Sequence, residues 1–389
     1  MEKQRSLLAY VNAGHFLDHY AMLIFPAAVI AMEKDFAASY GDLLALAAPG
    51  FIAFGAGSML AGWMADAWSR RHMMTLFLIG IGVSLTACGW ASTPFELGAA
   101  LFMVGVFASI YHPVGTTLIA THAKDLARGI GFNGMIGNLG VASSAIATAF
   151  IADHYGWRAA FIAPGAITAA IGLAFLVTFR EDFQGKAEPR TSQRPPTHHI
   201  VRLLAALGLT ITASSMLFNS ITVALPKLLQ ERLGDTAADP AVWGLVAAGL
   251  YMFGAVSQYT VGTLAARRGL FALFLPIAVV IAVTPFLVAF SYGFVLIAVC
   301  VPLIAASFGL ITVTDAIVGQ NATAKWRSTI YGLRYFLTSP AAGAAVMLIA
   351  FAHERGGFEL TFEILGGVAA LGLVACALLP GKQYAPAHG

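Results

Sequence analysis

A carboxylate and two imidazoles crowd one short stretch, Gly14-His15-Phe16-Leu17-Asp18-His19-Tyr20, inside a long apolar run. On a helix, His15 and His19 stand four residues apart with Asp18 between them, so all three side chains project within about 100° of arc. An ionisable group inside a membrane span costs on the order of 3 kcal/mol on insertion scales, so each one needs a partner or a task. A second segment, Ser109-Ile110-Tyr111-His112-Pro113-Val114-Gly115, carries another imidazole. Counted from the nearer polar boundary of each run, Asp18 and His112 both lie roughly 15 Å deep at 1.5 Å rise per residue. Three readings follow. A carboxylate near an imidazole that titrates around neutrality can load and release a proton. Three histidines and an aspartate also suit zinc, iron or nickel, which makes His15, Asp18, His19 and His112 an alternative site for a metal ion or metal chelate. The third reading is a static hydrogen-bond network tying helices together.

The second half of the chain is poorer in such groups. Arg334 falls about seven residues into its apolar run, at a depth similar to Asp315 near the end of the preceding one. The two can pair and close one side of the protein. Alternatively Arg334 faces a cavity and holds a carboxylate or phosphate in two-pronged fashion, with Tyr331 and Tyr335 on either side of it in sequence. Tyr111, Asn138, Asn219, Gln258 and Tyr331 are candidate polar contacts for a substrate, although such residues also bond helix to helix. Cys88, Cys300 and Cys376 all lie in apolar runs and read as packing residues. No Gly-x-x-x-x-Gly-Lys-Ser/Thr loop offers a phosphate cradle, so direct drive by ATP is not expected, and no catalytic pattern points to an enzyme or to a cofactor.

The elements that must position these residues follow from composition. Of 389 residues only 11% are charged and 59% are hydrophobic, against roughly one-quarter charged in soluble domains. Apolar runs long enough to cross about 30 Å of hydrocarbon recur from Leu7 to Leu379. They predict spans near 8–31, 43–66, 73–91, 96–121, 130–152, 158–179, 203–229, 242–264, 271–290, 294–319, 328–351 and 359–379. Helices are expected, because lipid leaves no partner for open backbone groups and the runs lack the alternation of barrel strands. Of the 22 Lys and Arg, sixteen fall in the tails and loops on the side of the N-terminus. Five lie on the other side, and Arg334 lies within a span. The positive-inside rule then sets both termini in the cytoplasm of a bacterial inner membrane, and topology accounts for the net charge of +3 without a nucleic-acid partner.

One long hydrophilic stretch, from Glu181 to Arg202 with Pro189, Pro195, Pro196 and the pair His198-His199, interrupts the pattern. It reads as a linker, dividing the chain into a six-helix bundle over 1–180, a linker over 181–201 and a second six-helix bundle over 202–389. A local feature repeats across the halves. Gly62-Trp63-Met64-Ala65-Asp66-Ala67-Trp68-Ser69-Arg70-Arg71 ends the second run, and Gly262-Thr263-Leu264-Ala265-Ala266-Arg267-Arg268-Gly269 ends the eighth.

At these residues the chain resembles the major facilitator superfamily, whose hallmark is a Gly-x-Leu-Ala-Asp-Arg-x-Gly-Arg-Arg loop after the second span. Gly62, Asp66, Arg70 and Arg71 match in register, while Ala67 and Ser69 depart from it. The second copy keeps Gly262, Arg267 and Gly269 but has Ala266 in place of the acid. The segments around His15 and His112 look like those of fosmidomycin-resistance-type drug exporters. The family's antiporters usually carry a Gly-Pro pair in the fifth span, and the run Gly131-Phe132-Asn133-Gly134-Met135-Ile136-Gly137-Asn138-Leu139-Gly140 has none.

The resemblance implies an all-α membrane protein of twelve transmembrane helices in two pseudo-symmetric bundles, switching access to a central cavity. It implies that the first and fourth spans line that cavity, which pairs Asp18 with His112 and brings His15 or His19 close. Gly62, Asp66, Arg70, Arg71 and Asp315 are then candidates for conformational gating. The function expected is secondary transport of a small organic solute by a monomer in the bilayer, coupled to protons, with efflux favoured over uptake. The alternatives are carriage of a metal ion or chelate, and a membrane receptor or scaffold that does not transport.

Overall fold

The computed structural model describes residues 2–38, 40–180, 197–233 and 240–376. The expected linker lies outside them as far as residue 196, as do the side chains of His198, His199 and Cys376. The described residues contain helices and no strand. In order these are α1 (Glu2–Phe36), the short α2 (Tyr40–Ala45), α3 (Ala48–Ala67), α4 (Arg70–Trp90), α5 (Pro94–Ala108), α6 (Tyr111–His122), α7 (Leu126–Tyr155), α8 (Trp157–Thr178), α9 (Thr197–Arg232), α10 (Pro240–Arg268), α11 (Leu270–Ala289), α12 (Gly293–Asn321) and α13 (Arg327–Cys376).

Two adjustments turn these helices into twelve passes. The fourth span is broken, with α5 stopping at Ala108 and α6 starting at Tyr111. Pro113 supplies the cause, since proline has no N–H to donate and its ring crowds the carbonyl four residues before it. The eleventh and twelfth spans run on as α13, interrupted by the non-helical Gly356 and Gly357. Among the described residues nine segments, including Leu270–Ala289 and Gly293–Asn321, are long and apolar enough to cross a membrane on length and composition. Many large exposed side chains are apolar, such as Ile52, Trp90, Phe95, Ile146 and Phe294, as a lipid-facing surface requires.

Local chemistry fixes the helix ends. Thr93 and Glu96 form a reciprocal capping box at the start of α5, with Pro94 in its first turn. The Ser69 hydroxyl accepts from the His72 amide to begin α4. At helix C-termini the last carbonyls have no partner within the helix. Arginines from neighbouring helices supply one. Arg158 donates to Gly89 and Ala91 at 3.2 and 2.8 Å, and Arg71 to Leu176 at 2.9 Å and to Phe179. Arg232 reaches Val288, Ala289 and Ser291 at 2.8, 2.6 and 3.3 Å. A cation at that end of a helix also meets the negative pole of its dipole.

The chain divides into two compact units. The first comprises Met1–Lys124, Ile136–Glu188 and Ala322–Phe336; the second comprises Asp125–Met135, Pro189–Asn321 and Leu337–Gly389. Close backbone packing explains the two short exchanges relative to the linker. In the first unit a methyl group added at Gly62 of α3 would run into the backbone of Ser328 and Thr329 at the start of α13. In the second unit one added at Gly262 of α10 would meet the backbone of Ala127 and Gly131 at the start of α7. Glycine at such a crossing lets two helix backbones touch.

Candidate functional site

In the first unit, α1 presents His15, Asp18 and His19 toward His112 on α6. Nε2 of His112 lies 3.6 Å from Oδ2 of Asp18. The His15 and His19 Nε2 atoms are 3.1 Å apart. One ligand atom from each of His15, His19 and His112 can be chosen so that all three lie within 4.8 Å of one another. Asp18 is fully buried, and neither of its carboxylate oxygens has a hydrogen-bond partner among the described residues. A buried carboxylate left unbonded is costly.

Three ties hold α1 in this register. The Tyr111 hydroxyl donates to the Val11 carbonyl at 2.9 Å. The Ser144 hydroxyl of α7 donates to the Tyr20 carbonyl at 2.9 Å. Gly137 of α7 lies against the His15 ring, where an added Cβ would stand 2.6 Å from Nε2. The break in the fourth span is a further determinant, because it begins a fresh helix at Tyr111 and sets His112 in its first turn. The His15 ring stacks on Tyr111 at 4.8 Å. On the far side of His112 is Tyr335, with ring centroids 4.5 Å apart, and the Arg334 guanidinium sits 4.7 Å over the Tyr335 ring.

Asp18, His15, His19 and His112 thus come together, with Tyr111 against His15 and Tyr331 fully buried in the same unit. Tyr335 is the neighbour that sequence reasoning mentioned only as a flank of Arg334. Asn138 of α7 is half-buried. Two other polar candidates belong to the second unit. Asn219 donates to the Ser215 carbonyl of its own helix at 2.7 Å, and Gln258 donates to the Phe308 carbonyl at 3.3 Å. Asp315 is in the second unit and Arg334 in the first.

The motif residues divide their labour. Both oxygens of Asp66 serve the start of α13, accepting from the Ser328 amide at 3.3 Å and from the Thr329 amide and hydroxyl at 2.7 and 2.9 Å. Asp66 is an N-cap supplied by another helix, and its charge suits the positive pole there. Arg70 pairs with Asp66 at 2.8 Å and donates to the Ala324 carbonyl at 2.6 Å and the Ser328 hydroxyl at 3.2 Å. Arg71 is spent on α8. The part played by Ser328 and Thr329 escaped the sequence reading; the amides of a helix start that await an acceptor, together with the motif's acid, were its available signal.

A sequence profile of the Major Facilitator Superfamily matches residues 11–347. The gallate transporter of Pseudomonas putida is 26% identical over 175 residues, covering 44% of this chain and 37% of that protein. The membrane sensor protein UhpC of Escherichia coli is 24% identical over 211 residues, covering 53% and 48%. These matches span less than half the length of either relative. The solved structure of the proton:xylose symporter XylE superposes with a TM-score of 0.80 at 15% identity, covering 97% of this chain and 96% of that one, a likeness of fold. With the profile running through both halves and twelve helical passes in the matching order, the chain belongs to the Major Facilitator Superfamily.

Proposed function

We propose that the protein is a proton-coupled secondary transporter of a small organic solute, in which Asp18 and His112 carry the coupling proton. The observation that supports this most is the fully buried, unbonded Asp18 carboxylate 3.6 Å from an imidazole. A proton on either group relieves the cost of that charge, and losing it restores the cost, so protonation is tied to the surroundings of the pair. The halves 1–180 and 202–389 are the moving bodies, with both termini in the cytoplasm of a bacterial inner membrane. Gly62, Asp66 and Arg70 latch the start of α13, and Asp315 and Arg334 are further gating residues. An anionic solute is favoured because Arg334 is a cation within a span, and the gallate transporter among the relatives agrees with that chemistry. Tyr111, Asn138, Asn219, Gln258 and Tyr331 are the accompanying polar contacts, and efflux is favoured over uptake.

Reconstitution tests the proposal. In proteoliposomes under an imposed pH gradient, gallate flux with a trapped pH dye reports coupling for the first solute to try. Asp18→Asn should abolish gradient-driven accumulation and leave exchange at equal pH. Coupling that survives the substitution refutes the assignment. The likeness to UhpC supports a second reading, a sensor that binds without translocating; it predicts saturable solute binding in detergent with no flux in any liposome assay.

A further inference from the structure

Nothing in a proton-coupling role calls for three imidazoles converging beside one carboxylate. His15 and His19 share a hydrogen bond of 3.1 Å, and neither oxygen of the buried Asp18 beside them accepts one. We propose that His15, His19 and His112 bind a divalent transition-metal ion, with Asp18 beside them as its charge partner, and that an ion held there blocks proton exchange. The inference rests on the coupling role given above, because it names a ligand that competes for the same lone pairs.

The donor set favours ions that prefer imidazole, such as zinc, nickel and cobalt, over calcium or magnesium, which take oxygen ligands. Three nitrogens around one tetrahedral ion at about 2.0–2.1 Å stand roughly 3.4 Å apart. The His15 and His19 nitrogens are at 3.1 Å, and all three chosen atoms lie within 4.8 Å, so a ring movement of about 1–1.5 Å closes the set on that geometry. Three protein ligands leave a position open for water or another oxygen donor, as in zinc sites that exchange ligands. The wholly buried Asp18 carboxylate, 3.6 Å from the His112 nitrogen, is the independent sign that a positive charge belongs here. It can become the fourth ligand, or it can orient His112 in the way that carboxylates orient metal-bound imidazoles.

Cobalt reads the geometry directly, because tetrahedral Co²⁺ absorbs far more strongly in the visible than hydrated Co²⁺ does. The full-length protein is titrated in detergent with cobalt chloride, using a His198→Ala/His199→Ala background to remove that His-His pair as a competitor. The expected result is a tetrahedral spectrum saturating at one equivalent. His15→Asn, His19→Asn and His112→Asn should each weaken it by at least tenfold while metal-free thermal unfolding shows that the variants fold. A missing one-to-one spectrum overturns the proposal, as does one that all three variants retain or that disappears with His198 and His199. The two readings fail separately. If Asp18→Asn leaves pH-driven flux intact while cobalt still titrates the histidines, the coupling role falls and the metal site stands. If wild-type flux depends on Asp18 but zinc chloride neither binds nor inhibits it, the metal site falls alone.

Discussion

At Gly137 there is no room for a side chain beside His15, since an added Cβ would sit 2.6 Å from Nε2. Gly137→Ala must push the imidazole or α7 aside, and overpacking of that kind typically costs about 1–3 kcal/mol. The variant should fold with a lowered unfolding temperature and lose at least tenfold in cobalt affinity, both readable on one purified sample. At this scale the sequence was informative about one helix and silent about two. The i, i+3, i+4 spacing of His15, Asp18 and His19 puts them on one face whatever the fold. Bringing His112 to them needed the family resemblance, because helical periodicity carries no information on which helices touch. Tyr335 at 4.5 Å from His112 was beyond reach for the same reason.

Among the elements, the division of the fourth span is the departure with most effect. Continuous apolarity through 96–121 predicts one helix, yet Pro113 withholds an amide and α6 begins afresh at Tyr111. Pro113→Ala should heal the joint and turn His112 away from α1. Proton-coupled flux should then fall sharply with thermal stability unchanged or raised, a combination that a simple folding defect would not give. The arginine ties illustrate the opposite case. Arg158 and Arg232 look from sequence like charges of outer loops and helix ends and Arg71 like a gating residue, but each satisfies carbonyls at the end of a neighbouring helix. Arg232→Gln leaves buried carbonyls of the α11 end short of donors, at about 1–3 kcal/mol. Thermal unfolding in detergent should show a drop, with little effect on cobalt binding in the other unit.

For the molecule as a whole, the twelve spans and the family were legible because a bilayer forces every pass to be a long apolar helix. What stayed hidden was the wiring at the span ends, where the choice of partner depends on three-dimensional packing. Asp66 is the clearest instance, with both oxygens serving the amides of Ser328 and Thr329, more than 250 residues on. Asp66→Ala should raise hydrogen exchange at those two amides by at least tenfold. Equal protection in the variant would mean that other acceptors replace the carboxylate.

His15, Asp18, His19, His112 and the bonds from Tyr111 to Val11 and from Ser144 to Tyr20 all belong to a single compact unit. In the proposed mechanism a charge lodged among those side chains keeps these same-unit neighbours while the halves move. The water at its doorstep then changes sides, and capture and release become one equilibrium read at two different acidities.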